Sequence, residues 1–185
     1  QVNITGQDHQ GRGVARKEGK VIFVEGALPG EVCEIEVKKE KKQYQEARVI
    51  EKIVSKSVPS PCCYYPLCGG CALLHQAYPD QLAWKEKKVK ELLEKFAGIT
   101  PRMMPILSDE QFHYRNKLTL HHLGLYQKKT HQDLKIEACL LVDPKINEIL
   151  KRLKDYQRNT HEKIKEAMIR TTTQGETSLS LTGEI

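Results

Sequence analysis

Four of the six cysteines of the chain lie in the stretch CCYYPLCGGC, residues 62–71. Cys62 and Cys68 are separated by five residues, and Cys68 and Cys71 by the two glycines Gly69 and Gly70. Glycine tolerates a positive φ at little cost, so these glycines are expected to let the backbone fold tightly around an inorganic centre. Such clustering is typical of a metal site and not of a disulfide framework, which indicates a reducing compartment.

Three ligands in one loop require a fourth ligand from elsewhere, and the distant candidates are Cys33 and Cys139. Cys139 is preferred, because residues 136–141 around it are mostly apolar and predict a core beside the centre. Four thiolates suit either structural zinc or a [4Fe–4S] cluster, and one tight triplet with a remote ligand favours the cluster. From spacing alone, buried free thiols and a first ligand at Cys63 instead of Cys62 remain alternatives.

Short strands are predicted before this loop. Residues 21–24 are apolar, residues 32–38 largely alternate apolar and polar side chains, and residues 44–54 form a further candidate strand. Alternation at period two places one face of a strand on a core and the other in water. Strands at this spacing are typical of a small barrel.

Helices and strands are both predicted after the loop. The clearest helix covers residues 79–96, with Leu82, Val89 and Phe96 at helical spacing and Gly98 at the C-terminal cap. A second helix covers residues 144–156. The predicted strands are residues 118–122, 124–126 and 135–142, followed by a hairpin of residues 163–172 and 177–181. The fold class is therefore α+β.

The composition excludes several classes of protein. Lysine and arginine number 30 and aspartate and glutamate 24, so the net charge of +6 permits an acidic partner without requiring one. No apolar run approaches the roughly 20 residues of a membrane helix, and no secretory signal opens the chain. We expect a cytoplasmic protein. The chain opens on Gln1, which is expected if the numbering starts inside a longer or processed protein.

The stretch PCCYYPLCGGCALLHQ, residues 61–76, resembles the RNA uracil-5-methyltransferases, which carry a TRAM domain, a cysteine-bound [4Fe–4S] cluster and a C-terminal methyltransferase domain. Further similar segments follow in chain order: residues 11–15, 21–31, Gln81, Lys85, residues 114–117, 124–126 and 136–140. The resemblance implies an OB-like five-stranded TRAM barrel over residues 1–54. It also implies a cysteine loop and amphipathic helix over residues 55–98, and a mixed α/β central domain over residues 99–185 that ends before the methyltransferase domain.

The resemblance also implies the cofactors and the reaction. The cluster ligands match Cys62, Cys68, Cys71 and Cys139, which leaves Cys33 and Cys63 as packing thiols. The implied activity is S-adenosylmethionine-dependent methylation of uracil C5 in RNA, with ribosomal RNA favoured over transfer RNA, by a monomer. We expect neither a catalytic residue nor an S-adenosylmethionine site in this chain, because it has no glycine-rich strand-to-helix turn and no cysteine left for the nucleophile.

RNA contacts require cations for phosphates and planar side chains for bases. The candidate residues are Arg16, Lys17, Lys41, Tyr44, His75, Gln76, Arg115, Asn116 and Lys117. The lysines of residues 85–90 are interpreted as the solvated outer face of a helix. Two functions of other classes remain as alternatives: a free-standing RNA-binding or redox-sensing iron–sulfur module, and a zinc-stabilised structural module.

Overall fold

The computed structural model describes residues 1–184. The chain divides into two compact units. The first unit consists of Gln1–Pro61 and Ala72–Leu107, and the second of Cys62–Cys71 and the chain from Ser108 onward. The cysteine loop therefore belongs to the second unit, although the chain on both sides of it belongs to the first.

A single sheet of six strands forms most of the first unit. The strands are β1 (Val2–Asn3), β2 (Gly6–Gln7), β3 (Gly13–Lys17), β4 (Lys20–Glu25), β5 (Val32–Glu40) and β6 (Tyr44–Val54), in the order β1-β5-β6-β4-β3-β2. The pair β4–β6 is parallel and the other pairs are antiparallel. The predicted number of five strands is wrong, because β1 and β2 have two residues each and show no periodic pattern. Closure of the sheet into an OB-like barrel stays a prediction.

The core of this sheet takes alternate residues of β4, where the sequence shows an apolar run at residues 21–24. Ile22 and Val24 of β4 are buried, as are Ala15 of β3, Cys33 of β5 and Ala47 of β6. Burial raises the pKa of the Cys33 thiol, and the nearby carboxylate of Glu31 adds to this effect. Cys33 is thus a packing residue of the first unit.

The first unit also contains helix α1 (Tyr78–Leu92), which a π-helical turn, Leu93–Ala97, continues. Gly98 ends it at φ 64°, as the sequence predicts. Gln81 is the buried residue of α1, and its Nε2 donates to the carbonyls of Leu73 and Gln76 at 3.2 and 2.9 Å. The predicted apolar stripe is present but exposed, with Phe96 74% accessible.

The second unit is a five-stranded sheet with helix α2 (Pro144–Thr160) on it. The strands are β7 (Lys117–His121), β8 (Gly124–Tyr126), β9 (Asp133–Lys135), β10 (Lys163–Thr171) and β11 (Thr177–Glu184), in the order β11-β10-β7-β8-β9. Asp143 caps α2 by accepting from the backbone N–H of Lys145 at 2.9 Å. The predicted helix and hairpin are both confirmed, and the helix extends four residues further than predicted.

The predicted strand at residues 135–142 is wrong. Strand β9 ends at Lys135, and the chain continues as a loop in which Ile136 and Val142 are buried. The apolar pattern there reflects contact with the core beneath α2 and not membership of the sheet.

Neither helix in the described part of the chain combines the length and the apolar character needed to span a membrane.

Candidate metal centre

Backbone hydrogen bonds close a turn within the cysteine loop, residues 62–71, and join the loop to strand β8. The N–H of Cys68 donates to the carbonyl of Tyr64 at 2.8 Å, and the N–H of Gly69 donates to the carbonyl of Tyr126 at 3.0 Å. A Cβ on Gly69 would lie 3.3 Å from the same Tyr126 oxygen, a contact tighter than most. A larger residue at this position would therefore require the Tyr126 backbone to shift by a few tenths of an ångström. The expectation of a positive φ is wrong for Gly69 and Gly70, because neither adopts one.

The loop that carries Cys139 is fixed from two sides. The N–H of Glu137 donates to the phenol oxygen of Tyr64 at 2.7 Å, which joins this loop to the cysteine loop. From α2, Asn147 accepts from the N–H of Cys139 and donates to its carbonyl. Tyr64 and Cys139 also pack against the core of the second unit. These contacts place Cys139 beside residues 62–71 although it is distant in sequence.

Cys62 and Cys139 lie near enough to Cys68 and Cys71 to contribute to the pKa values of those two thiols. Burial raises the pKa of Cys68, and it raises the pKa of Cys71 to about 11, with further increases from the neighbouring thiols. The guanidinium of Arg115 acts in the opposite direction on both. The four cysteines that the sequence predicts as ligands therefore lie in one part of the second unit, and their ligand role stays a prediction. Cys63 is exposed and takes no part in this group.

The donor set limits what this group can bind. Within residues 1–184, no three Cys, His, Asp or Glu side chains are arranged to hold one metal ion. A zinc site draws all its sulfurs to about 2.3 Å from a single atom. A [4Fe–4S] cluster takes one thiolate on each of four iron atoms, so its ligands stand further apart. In donor type, four thiols are compatible with zinc as well as with a [4Fe–4S] cluster.

Candidate RNA-binding residues of the first unit gather at one end of its sheet. The strand register places Arg16 opposite Val21, and Val21 opposite Tyr44. The N–H of Lys41 donates to the carbonyl of Tyr44 at 2.9 Å, and Arg16, Lys17 and Lys41 are exposed. These four predicted residues therefore lie at one end of the sheet and are called the basic patch below, with Lys17 on the opposite face of β3 from Arg16.

Sequence reasoning missed two residues beside this patch, Arg12 and Phe23. The Phe23 ring meets that of Tyr44 edge to face at 5.8 Å, and the Arg12 guanidinium lies 4.6 Å from the Phe23 centroid. Asp8 orients Arg12 through a hydrogen bond of 2.8 Å. The available signal was the alternation in β4, which turns Phe23 away from the buried Ile22 and Val24.

His75 and Gln76 do not lie on the open surface of the first unit, and their contact with RNA stays a prediction. Both are buried, with 8% and 7% of their surfaces accessible. The backbone carbonyl of His75 accepts from Val58, and the side chain of Gln76 accepts from Gln7. They pack inside the first unit because residues 73–76 form the turn that Gln81 of α1 binds.

Arg115, Asn116 and Lys117 are exposed in the second unit, as an RNA contact requires. The backbone of Arg115 pairs with that of Val142, which positions its guanidinium beside the thiols. The lysines of α1 behave as interpreted from the sequence, since Lys87 and Lys88 pair with Glu91, and Lys90 pairs with Glu94, along the helix surface.

Comparison with known proteins assigns the first part of the chain. Residues 1–50 match the TRAM domain family. The 23S rRNA (uracil(1939)-C(5))-methyltransferase RlmD of Histophilus somni is 36% identical over 159 residues, which cover 79% of this chain and 36% of the relative. An RNA methyltransferase of Clostridium tetani is 33% identical over 164 residues, or 83% of this chain and 36% of the relative. The chain thus spans about a third of the length of these relatives.

A solved structure has a similar fold. The Pyrococcus abyssi tRNA (uracil-54, C5)-methyltransferase, in complex with S-adenosyl-L-homocysteine, matches 100% of this chain and 46% of its own with a TM-score of 0.68. At 19% identity this likeness concerns the fold alone. Residues 1–50 are thus a TRAM domain, and the chain is a homologue of RNA uracil-C5 methyltransferases.

Proposed function

We propose that this chain is the RNA-binding and cluster-binding part of an S-adenosylmethionine-dependent RNA uracil-C5 methyltransferase. The observation that carries the proposal is the meeting of Cys62, Cys68, Cys71 and Cys139 in one unit of a chain whose relatives methylate RNA. Ribosomal RNA is the favoured substrate, because the RlmD relatives are 31–36% identical, whereas the transfer RNA enzyme is 19% identical.

The thiols supply the ligands of a [4Fe–4S] cluster in this proposal. Metal binding requires thiolates. Because the pKa of Cys71 is raised to about 11, its thiol would lose a proton when a metal centre binds at neutral pH. Arg115 favours that deprotonation and offsets the negative charge of four thiolates. The role of the cluster is structural: it ties residues 62–71 to the loop of Cys139.

The reaction itself requires no electrons from such a cluster. Methylation at C5 proceeds when a thiolate adds to C6 of uracil, which makes C5 nucleophilic. C5 then takes the methyl group from S-adenosylmethionine, which leaves as S-adenosylhomocysteine, and a base removes the C5 proton as the thiolate is expelled from C6. We place these groups, and the S-adenosylmethionine site, outside this chain. The contribution of the chain is to hold an RNA whose target base must leave its stack.

Two surfaces are proposed for RNA. The first is the basic patch of Arg16, Lys17, Lys41 and Tyr44, extended by Arg12 and Phe23, which offers cations for phosphates and rings for bases. The second consists of Arg115, Asn116 and Lys117 beside the thiols. Because Arg115 acts on Cys68 and Cys71, the proposed cluster would also fix one edge of the second RNA surface.

Three further points stay predictions. The functional divisions at residues 1–54, 55–98 and 99–185 differ from the two compact units, which group the cysteine loop with the second. A cytoplasmic location is proposed because a reducing compartment keeps the thiols available for metal. The chain is proposed to be a monomer.

Metal analysis of the anaerobically purified chain tests the proposal. We expect about four iron and four sulfide per chain and a brown colour. Cys139→Ser should lose the iron, whereas Cys63→Ser, in the same loop but outside the group of thiols, should keep it. A colourless protein with one zinc per chain would contradict the cluster and favour the zinc-stabilised module. Binding of labelled ribosomal RNA fragments, followed by fluorescence anisotropy, tests the RNA-binding part separately.

A further inference from the structure

A groove in the first unit has no role in the function described so far. It lies between helix α1 and the chain around strand β2, and its volume is about 420 Å³. Its polar lining includes Gln7, Gln76 and Trp84 together with three lysines, Lys56, Lys87 and Lys88. This volume falls within the usual range of small-molecule sites, about 300 to 1,000 Å³.

Two buried polar atoms at this groove have no hydrogen-bond partner. They are the side-chain oxygen of Gln7, an acceptor, and the indole nitrogen of Trp84, a donor. The amide nitrogen of Gln7 is already used, since it donates to the carbonyl of Gly11 at 3.1 Å and to Gln76 at 3.2 Å. Gln7 is only 7% accessible, and unsatisfied buried polar groups are rare in folded proteins. A ligand that offers both an N–H and an acceptor atom would complete the site.

The charge of the groove favours an anionic ligand. Its lining carries three lysines against two carboxylates, Asp80 and Glu91. Glu91 is already engaged with Lys88 at 2.6 Å and with Lys87 at 3.8 Å. Lys87 nevertheless leaves 73% of its side chain accessible, so it remains available to a phosphate.

We propose that this groove binds one nucleotide of single-stranded RNA. The planar base lies against Trp84 and an N–H of its edge donates to Gln7. A ribose oxygen of the same nucleotide accepts from the indole N–H of Trp84, and the phosphate faces Lys56 and Lys87. Nucleobases combine donors and acceptors in one flat group, and an indole provides an apolar wall for such a ring. Duplex RNA is excluded, because its bases are stacked inside the helix and cannot enter a groove. The inference rests on the proposed RNA-binding function and adds a defined site to it.

Trp84 is the only tryptophan of the chain. Its indole emission, excited selectively over that of the tyrosines, therefore reports on this groove. The full chain is titrated with single-stranded oligouridylate, with an RNA duplex of equal length and with uridine monophosphate. We expect saturable quenching by the single strand at the same concentration at which anisotropy of labelled RNA reports binding. The duplex should leave the emission unchanged.

Variants provide the second measurement. Trp84→Leu should weaken binding of single-stranded RNA by about tenfold or more, and Trp84→Phe by less, as expected for a base against an aromatic ring. If Trp84→Leu fails to fold, Lys87→Glu, on the helix surface, should weaken binding and reduce its salt dependence. The matched control is Lys85→Ala, on the same helix but outside the lining, which should bind as the parent chain does.

The outcomes separate this inference from the proposed function. RNA binding by anisotropy without a change in Trp84 emission would overturn the groove and leave the RNA-binding function intact. Absence of RNA binding by either method would overturn the proposed function, and the groove with it. Saturation by uridine monophosphate at lower concentrations than by oligouridylate would assign the groove to a free nucleotide and overturn the RNA site.

Discussion

Asn147 binds Cys139 through both of that residue's backbone groups: its Oδ1 accepts from the Cys139 N–H at 2.9 Å, and its Nδ2 donates to the Cys139 carbonyl at 3.1 Å. An amide in this position replaces the strand pairing that the apolar sequence around Cys139 led us to expect. Asn147 of α2 therefore helps to fix the position of the fourth proposed ligand, together with the hydrogen bond from Glu137 to Tyr64.

Replacing Asn147 should loosen the loop of Cys139. We expect Asn147→Ala to destabilise the second unit by roughly 1 to 3 kcal/mol, because two partly buried backbone groups lose their partner. After aerobic purification, the iron content of Asn147→Ala should be lower than that of Asn147→Asp, because aspartate keeps an acceptor for the Cys139 N–H. Glu148→Ala, exposed on the neighbouring position of α2, is the control. Equal iron content in all three variants would show that Asn147 does not position the ligand.

The buried carboxylate of Glu31 should make the stability of the first unit depend on pH. Burial alone would raise the pKa of Glu31, but hydrogen bonds from Lys52, Ser57 and the backbone of Leu28 and Lys56 outweigh it and lower the pKa. A group whose pKa is lowered on folding stabilises the protein above its unfolded pKa, near 4.5, and this stabilisation is lost as the pH falls through the folded pKa.

Glu31→Gln should therefore lower the free energy of unfolding by about 3 kcal/mol at pH 7, because Lys52 loses the buried carboxylate with which it forms an ion pair. The variant should also show a flatter loss of stability below pH 4.5 than the parent chain. Urea unfolding at several pH values measures both effects. The exposed Glu34→Gln is the control. A parallel loss of stability in Glu31→Gln and the parent below that pH would contradict the assignment.

Arg115 and Lys117 should contribute to RNA affinity through phosphates. The double variant Arg115→Ala with Lys117→Ala is expected to weaken binding and to reduce the slope of log affinity against log salt by about 1 for each phosphate that is no longer neutralised. Lys151→Ala, on the exposed surface of α2, serves as the control for general charge. If the salt slope is unchanged, these residues act within the fold and not on RNA.

The ring of Tyr44 should contribute to RNA binding through its face and not through its hydroxyl. Tyr44→Ala is expected to weaken binding of single-stranded RNA by about five- to tenfold or more, whereas Tyr44→Phe should retain it. Phe23 contacts Tyr44, so Phe23→Leu should give an intermediate loss. Anisotropy titrations measure all three. Equal losses in Tyr44→Ala and Tyr44→Phe would assign the effect to the hydroxyl.

The sequence predicted the features that depend on local patterns. The strands β4 and β5, the two helices, the Gly98 cap and the hairpin of β10 and β11 all follow from apolar patterning or from turn chemistry. The spacing of the loop cysteines and the apolar surroundings of Cys139 indicated thiols that act on the pKa values of Cys68 and Cys71, and their role as ligands stays a prediction.

Features set by tertiary packing could not be predicted in this way. Gln76 carries no signal that it is buried, because its burial results from bonds with Gln7 and Gln81, distant in sequence. The pairing of Phe23 with Tyr44 depends on the parallel register of β4 and β6, which no local pattern encodes. The groove beside α1 likewise exists only after the helix packs.

The division of the chain gives the cysteine loop a further consequence. Residues 62–71 belong to the second unit, and the chain then returns to the first before it reaches Cys139. Ligation of both segments to one centre would close the intervening polypeptide, including α1, into a covalent ring. Such a cross-link lowers the entropy of the unfolded chain, as a long-range disulfide does. Removal of the metal would thereby lower the free energy of unfolding of α1, although that helix supplies no ligand.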